Sequence, residues 1–434
     1  MRSAAILFVV LLFVVGSGCT KKPAPKPMAF NGATTTLAEM PERAEPVNVF
    51  FGADGNQVAA IIKQDNSEYI AINGVAGRAY DKVKSPVFRK GFAGYAYEAR
   101  KNNRACVVLD GKELKWYDTV DRLFFTSGGH LLYAARQGNK WRMISEKGDK
   151  IISGAVPFPL KESTDGKRVV FFEVQDGTNK SIVNVCDQEI SSCKKSSAYD
   201  LSESVKYDAG VSHLAFVSKG PEKSIVVVLE LAPSGIREVT NAAFDAVLVY
   251  NISENGSHVA VLGRRGTGYV LWKDGEERSL PSIEAAFDLI VTDDGGVFYS
   301  TYAGNQVKAF FSGAQMGREY SSVSYPIPGP KGKGVVFVGG RTGKSLLVID
   351  GHEGPVYEKI VAPHIAPNGN FIAFRARNKG ERFVVVADSK GNVIKEHPHY
   401  EAVWDVSFTP DGKSVAYGVK DGNKLIWKAE KLEK

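Results

Sequence analysis

A short hydrophobic strand pattern recurs ten times along the 434 residues, at spacings of 36 to 45. Most copies follow a glycine turn, and most close on an aromatic residue. The closing residues are Ala60, Tyr97, Tyr133, Phe171, Phe216, Val261, Tyr299, Phe337, Phe374 and Tyr417. A fixed period of this size indicates a repeat protein, in which each unit buries its apolar faces against its neighbours. Runs such as Ile225–Leu229 are too short for helices and indicate buried strands.

Two further elements recur between these strands. One is a four-residue pattern. It consists of an aromatic residue, then usually an acidic residue, then any residue, and then Val or Ile. It begins at Tyr80, Tyr117, Phe244, Phe287, Tyr357 and Tyr400, and without the acid at Tyr320. The other is a strand that runs into an Asp-Gly turn, as at Asp110, Asp274 and Asp350. Because Asp-Gly tolerates the positive φ angles of a type I′ hairpin, each turn is predicted to join neighbouring antiparallel strands.

About four short strands per unit predict an all-β chain built of β-propeller blades. The combined elements resemble the TolB-type, WD-like propeller repeat of bacterial envelope proteins. The closest copy is Val406–Tyr417, and the resemblance extends over residues 46–434. It implies a propeller of about ten four-stranded repeats in the cell envelope, and it implies a fold far better than a function.

The number of rings stays open at the level of sequence. Ten units form one large ring, an eight-bladed ring with two degenerate units, or two propellers divided near residue 200. The chain ends soon after Trp427, before the last blade is complete. Residues 30–51, for example Val47–Phe51, are predicted to supply the missing outer strand and so leave no open sheet edge.

The first 18 residues have the pattern of an export signal. Arg2 precedes an apolar run over Ala4–Val15, which is too short to span a bilayer. Small residues followed by Cys19 resemble the lipobox of bacterial lipoproteins, and the resemblance implies lipidation of Cys19; ordinary signal cleavage nearby is the alternative. Residues 19–45, which begin with a Pro- and Lys-rich stretch, are predicted to be an extended tether, followed by the propeller at 46–434. Thr20, by family analogy, implies an outer-membrane lipoprotein with its body on the periplasmic or surface face.

Export changes the interpretation of the other cysteines. In an oxidising compartment Cys186 and Cys193 are predicted to form a disulfide that staples a hairpin. Cys106 lies in an apolar strand, and we interpret it as a buried core thiol rather than a nucleophile.

The excess of basic over acidic residues, 55 − 48 = +7, does not indicate a nucleic-acid partner. The charges are interspersed, and no run of five basic residues occurs. A mildly basic surface still favours contact with anionic glycans or lipid head groups.

Local motifs for catalysis or cofactor binding are weak. Gly339–Ser345 looks like a phosphate-binding loop, but residue 338 is Val and a strand follows, so a hairpin turn is predicted. His397 and His399 are two imidazoles without a third ligand, and we interpret them as surface histidines. Ser212 lacks the second glycine of a nucleophile elbow. We therefore predict no catalytic, metal or cofactor site.

The recurrent acids have a structural interpretation. Asp54, Asp165, Asp294 and Asp411 occupy repeat turns. A second set is predicted to accept hydrogen bonds near strand junctions, with a cation-binding ring as the alternative. This set is Asp81, Asp118, Asp245, Asp288, Glu358 and Glu401.

The sequence thus favours a lipid-anchored, non-enzymatic propeller that binds an envelope protein or glycan. The alternative is a propeller enzyme, a glycan- or peptide-acting hydrolase or lyase, with catalytic residues dispersed over several blades. A ligand- or metal-sensing module is a third class.

Overall fold

The computed structural model describes residues 30–432 except 42–43, 53–54, 56, 202–203, 233 and 282. The predicted signal peptide, Cys19 and the start of the tether lie outside these residues. Within them, helix is confined to the 3₁₀ turns Lys90–Phe92 and Pro330–Gly332. No helix in this part of the chain is long and apolar enough to span a membrane.

Strands of the described residues form ten antiparallel sheets, which we number as blades 1 to 10 in chain order. In each blade the strands are given from the innermost outward. Blade 1 has Glu45–Phe51, Val58–Gln64, Ser67–Ile72 and Val75–Ala76. Blade 2 has an interrupted innermost strand, Lys82–Val83 and Val87–Phe88, then Tyr95–Lys101, Arg104–Leu109 and Lys112–Tyr117. Blade 3 has Thr119–Phe125, Leu131–Gln137, Lys140–Ser145 and Gly148–Ile152. Blade 4 has Lys161–Glu162, Val169–Val174, Ser181–Cys186 and Cys193–Tyr199. Blade 5 has Lys206–Tyr207, His213–Lys219, Ser224–Ala232 and Gly235–Phe244.

The second half of the ring has the same plan, and each of its innermost strands has seven residues. Blade 6 has Ala246–Ile252, Val259–Arg265, Gly268–Lys273 and Glu276–Leu280. Blade 7 has Ala285–Val291, Val297–Ala303, Gln306–Phe311 and Ala314–Gln315. Blade 8 has Ser322–Pro328, Val335–Arg341, Lys344–Ile349 and His352–Tyr357. Blade 9 has Lys359–Ile365, Phe371–Asn378, Glu381–Asp388 and Val393–Glu396. Blade 10 has Ala402–Phe408, Ser414–Asp421, Lys424–Lys431 and, from the other end of the chain, Ala33–Glu39.

The predicted Asp-Gly hairpins form, and their Asp side chains have a second structural role. Asp110, Asp274 and Asp350 have φ angles of 48°, 49° and 46°. Each carboxylate also accepts a hydrogen bond from the first backbone N–H of the second strand in its blade; for Asp350 the donor is Val335 N, at 2.9 Å. The same residue therefore turns the chain and fixes the sheet beside it.

The hydrophobic core consists of ten clusters, each shared by two neighbouring blades. Phe371 and Val384 of blade 9, for example, pack with Val415 and Tyr417 of blade 10. Such a cluster links every consecutive pair, and one more links blade 10 to blade 1. The blades therefore form one ring of ten, and both an eight-bladed ring and two separate propellers are wrong. Each fully buried side chain contributes roughly 1.5–3 kcal/mol, so the stability is distributed around the ring.

The ring is closed by pairing the two ends of the chain. Ala33–Glu39 runs antiparallel to Lys424–Lys431, with Thr35 opposite Trp427. Closure by the two ends was predicted, but the suggested strand Val47–Phe51 was wrong, because it is the innermost strand of blade 1. The tether predicted for residues 19–45 is also shorter, since Ala33–Glu39 belongs to the propeller.

The cysteines of the described part take structural positions. Cys186 and Cys193 lie opposite each other on the third and fourth strands of blade 4 and are joined by a disulfide. Cys106 is fully buried, and burial raises the pKa of its thiol to about 12. A thiol that stays protonated in the core is unsuited to nucleophilic attack.

Candidate binding surface in the central channel

The innermost strands converge on the axis of the ring. Those of blades 5 to 10 contact one another in sequence, and the strand of blade 10 contacts that of blade 1. In a propeller these strands enclose a central channel. An exposed side chain on an innermost strand therefore opens onto the channel or its mouth.

β-Bulges direct several side chains toward this channel. The pairing of the innermost with the second strand is interrupted in blades 1, 3, 6, 7, 8, 9 and 10. Arg122, Tyr325, Ala362 and Asp405 lie at these sites with φ between 46° and 57°, a region that non-glycine residues seldom adopt. A bulge adds a residue to one strand and changes the direction in which its side chains point. Repeated bulges at one level of the ring indicate a shaped channel wall.

Six adjacent blades, 6 to 10 and 1, have an apolar side chain on the innermost strand at the bulge or directly before it. We call this set the apolar arc: Val47, Leu248, Phe287, Tyr325, Val361 and Trp404. Phe287 is 56% exposed, Val47 55% and Tyr325 44%; the other three are half-buried. Leu248 and Trp404 also pack on the cores between blades, so the exposed part of the arc is Val47, Phe287 and Tyr325. Large exposed apolar side chains that cluster on one surface mark interaction sites.

The opposite part of the wall carries cations. Arg122, Lys161 and Lys206 lie on the innermost strands of blades 3 to 5, and Lys84 lies between the two pieces of the innermost strand of blade 2. Lys84 pairs with the buried Glu98 at 2.7 Å. Arg122 donates from Nε to the Val156 carbonyl at 2.9 Å, which joins blade 3 to the chain entering blade 4. Asp121 lies 3.9 Å from Lys84 and 3.7 Å from Arg122 and offsets part of this charge. The channel wall therefore has an apolar side and a charged side.

A cleft of about 320 Å³ opens on the apolar side and contains His364, Arg375 and Asp405. Burial raises the pKa of Asp405, although its carboxylate accepts a hydrogen bond from Phe51 N at 2.9 Å. Burial and the charge of Arg375 lower the pKa of His364. The cleft thus brings a neutral imidazole and a carboxylate together, which is the type of group pair that catalysis or ligand binding uses.

Most of the junction acids have the predicted structural role. Asp118 accepts a hydrogen bond from Gly138 N at 2.7 Å, and Glu358 accepts one from Lys379 N at 2.7 Å. Asp81 and Asp245 hold the corresponding turns, and Glu401 pairs with Lys420. Each acid thereby caps the hairpin between the second and third strands of its blade.

Asp288 was assigned wrongly to this set. It lies inside the innermost strand of blade 7, next to Phe287, where burial raises the pKa of its carboxyl and Lys206 opposes the shift. The junction acid of blade 7 is Glu284, which accepts from Gly304 N at 3.1 Å. It follows Ile283 rather than an aromatic residue, so the sequence pattern missed it.

The acids of the glycine turns also have the predicted role. Asp411 accepts hydrogen bonds from Thr409 Oγ1 at 2.6 Å and from Lys413 N at 3.0 Å, and these bonds lower the pKa of its carboxyl. Asp165 and Asp294 repeat this arrangement, and Asp54 lies outside the described residues.

Ser212, His213 and Asp208 lie together without forming a catalytic triad. Ser212 Oγ and Asp208 Oδ2 both lie against Nδ1 of His213, at 3.2 and 3.4 Å. A triad places the nucleophile and the acid on opposite ring nitrogens. Asp208 also accepts from the backbone N of Ser212 and His213, as a turn acid does.

The loop that resembles a phosphate-binding motif is a hairpin turn, as predicted. Val335–Arg341 and Lys344–Ile349 are adjacent strands, joined by Thr342 and Gly343 with φ of 48° and 72°. Gly339 has a packing role, because a Cβ there would lie 2.6 Å from two ring carbons of Tyr320.

Gly339→Ala should therefore destabilise the propeller by about 1–3 kcal/mol, as overpacking does in other cores. Urea unfolding at neutral pH measures the change. Lys344→Ala, at the exposed start of the neighbouring strand, is the control and should lie within about 0.5 kcal/mol of the wild type. Equal stability of the two variants would show that Tyr320 does not require the glycine.

His397 is not a surface histidine, contrary to the prediction. It is fully buried between blades 9 and 10, and its Nδ1 lies 2.7 Å from the Tyr417 hydroxyl. Its Nε2 lies 3.5 Å from the buried carboxylate of Glu430, which also pairs with Lys395. His399 is partly exposed and stacks on Phe383. Within the described residues, no three His, Cys, Asp or Glu side chains are grouped as a metal site requires.

Burial lowers the pKa of His397 to about 4, whereas an unfolded histidine titrates near 6.5. Between these values the unfolded chain binds a proton that the folded protein does not, so this residue reduces stability as pH falls. Its contribution between pH 7 and pH 5 should be a loss of about 2 kcal/mol. Urea titrations of the wild type and His397→Gln at both pH values test this, and equal pH dependence would contradict it.

Neither a known protein family nor a curated protein matches the sequence. Among solved structures, TolB from Acinetobacter baumannii is 10% identical over 72% of this chain and 63% of its own, with a TM-score of 0.29. The match thus spans less than two thirds of that TolB chain. The Dos1 propeller is 12% identical over 91% and 93% of the chains, with a TM-score of 0.38. An oligogalacturonate lyase from Vibrio parahaemolyticus is 13% identical over 72% and 98%, with a TM-score of 0.34. These similarities concern the propeller fold alone.

Proposed function

We propose that this protein is a lipid-anchored, non-enzymatic scaffold of the bacterial envelope that binds a protein or glycan partner through the apolar arc. The observation that carries the proposal is the exposure of Val47, Phe287 and Tyr325 on innermost strands of a closed ring. Apolar side chains held on rigid strands lose little entropy on binding. Aromatic residues of this kind supply much of the energy at protein interfaces.

The proposed location in the bacterial envelope rests on the sequence pattern around Cys19 and is supported by the disulfide in blade 4. A short apolar run and small residues before Cys19 resemble a lipoprotein signal. Disulfides persist in exported proteins and are rare in the reducing cytosol. Two lysines after Cys19 and several prolines suit a spacer between a membrane and the ring.

Cys19→Ala should abolish incorporation of labelled palmitate and release the protein from the membrane fraction. A single acyl chain binds membranes only marginally, whereas several chains anchor a protein stably, so the change should be nearly complete. Fractionation with palmitate labelling measures it, and Cys106→Ala is the matched control. Label retained by the Cys19 variant would contradict the anchor.

Cross-linking in intact membranes followed by mass spectrometry tests the binding role. We expect one or a few envelope proteins, or a glycan, to be recovered with the wild type. Recovery of no envelope partner, together with turnover of a glycan or peptide library by the purified protein, would overturn the proposal.

The cleft with His364, Arg375 and Asp405 favours a second candidate, a hydrolase or lyase with residues from several blades. Arg375 donates to the Val403 carbonyl, so its guanidinium is held in place. In the described residues no hydrogen bond links His364 to Asp405, as a paired acid and base in direct contact would have. Turnover that is lost in His364→Gln but retained in the exposed-site variant His352→Gln would favour this candidate.

A further inference from the structure

A second cleft lies where the innermost strands are shortest. Blades 4 and 5 contribute only Lys161–Glu162 and Lys206–Tyr207 at this level, whereas other blades contribute up to seven residues. The shortened strands leave a cleft of about 560 Å³. Sites for small organic ligands have volumes of roughly 300–1,000 Å³.

Two cations line this cleft without an ion pair. Among the described residues, no carboxylate lies within 4.0 Å of Lys161 or Lys206. The Nζ of Lys161 lies 6.0 Å from the centre of the Tyr207 ring. Most other basic residues of the channel wall have partners, as Lys84 has in Glu98.

Glu162 and Asp208 also line the cleft, but their carboxylates are engaged elsewhere. Glu162 accepts hydrogen bonds from Ser127 N at 2.7 Å and from Gln188 Nε2 at 3.1 Å. Asp208 accepts hydrogen bonds from two backbone N–H groups of its own turn. Asp288, the third acid near Lys206, is held in blade 7, where burial raises the pKa of its carboxyl. None of these groups neutralises the two lysines by direct contact.

The hydroxyl of Tyr207 gives an independent indication of a ligand. It is shielded from solvent and has no hydrogen-bond partner among the described residues. Burial raises the pKa of this phenol, so it stays a neutral donor. A buried polar group without a partner costs about 1–3 kcal/mol, a cost that an accepting ligand would remove.

We propose that this cleft binds a small organic ligand through an oxyanion, a carboxylate or a phosphate. Lys161 and Lys206 neutralise the anion, and the Tyr207 hydroxyl donates to it after a shift of the side chain that ends its shielding from the cleft. Phe158 and Val211, which line the same cleft, contact the rest of the ligand. The site shares no residue with the apolar arc and does not depend on the lipid anchor.

Saturation-transfer NMR with three hexoses tests the proposal on the purified propeller. Glucuronate carries a carboxylate, glucose 6-phosphate a phosphate, and glucose neither group. At least one of the two anionic sugars should bind at least tenfold more tightly than glucose. Whichever of the two binds more tightly shows whether the site prefers a carboxylate or a phosphate. Equal binding of all three sugars would overturn the proposal.

Variants locate the site. Lys206→Met should weaken binding of the anionic sugar at least tenfold, whereas Lys344→Met, at the exposed start of a strand in blade 8, should not change it. Tyr207→Phe should weaken binding while the melting temperature stays equal or rises, because the variant removes an unpaired buried hydroxyl. Unchanged affinity in both Lys206→Met and Tyr207→Phe would show that the anion binds elsewhere and would overturn the proposal.

Discussion

Removal of residues 30–40 should lower the free energy of unfolding by about 5 kcal/mol or more, when a chain that begins at residue 41 is compared with one that begins at residue 30. The shorter chain lacks Ala33–Glu39 and Met40, which close blade 10 and pack on Leu425 and Trp427. It also exposes the hydrogen-bonding edge of Lys424–Lys431, and open edges promote aggregation. Urea unfolding and light scattering measure both effects. Equal unfolding midpoints would show that the ring does not depend on this strand.

A pair of single substitutions tests the same strand in the full chain. Ala38 is buried in the cluster that joins blades 10 and 1, whereas Thr36 on the same strand is exposed. Ala38→Asp should cost at least about 3 kcal/mol, because it places a carboxylate in an apolar core. Thr36→Asp should cost less than about 0.5 kcal/mol. Similar losses in the two variants would contradict the burial of this strand face.

Phe287→Ser with Tyr325→Ser should reduce capture of the envelope partner at least tenfold while stability changes little. Both side chains are about half exposed, so their truncation removes little core packing. Loss of two aromatic anchors at an interface costs on the order of 2 kcal/mol or more each. Partner yield after cross-linking and the melting temperature are the two measurements.

The matched control is Val75→Ser with Ile151→Ser, on the outermost strands of blades 1 and 3. These side chains are 73% and 60% exposed but lie on the outside of the ring. The control should capture the partner as the wild type does. If the control loses binding and the channel variant keeps it, the partner binds the outer rim.

The parts of the fold that were predictable depend on local chemistry. The turn at Thr409–Lys413 forms through hydrogen bonds between residues two to five positions apart, so its sequence is diagnostic. The Asp-Gly hairpins are equally local, and both motifs repeat in most blades. Repetition made the blade count accessible as well, because each closing residue of the sequence pattern lies in a second strand.

The features that escaped prediction depend on distant residues. Ala33–Glu39 has no glycine turn or aromatic marker, and its partner strand lies almost 400 positions later. His397 lies beside Pro398 and His399, and its burial comes from Glu430 and Phe30, on other parts of the chain. No pattern within blade 9 carries that information.

The candidate binding surface was not predictable for a related reason. Phe287-Asp288 matched the junction pattern by chance, although both residues lie in an innermost strand. The apolar arc takes one residue from each of six blades, and bulges expose several of these residues. Neither the bulges nor the convergence of blades has a local signature, so the surface becomes visible only in the closed ring.

Site-specific photo-cross-linking tests the central claim that this protein binds its partner in the channel. A benzophenone amino acid would replace Tyr325 on the apolar arc or, in a matched variant, Ile151 on the outer rim, in protein attached to native membranes. We expect a discrete adduct with an envelope protein or glycan from position 325 and little from position 151. Adducts from position 151 alone, or equal yields from both positions, would contradict a binding surface in the channel.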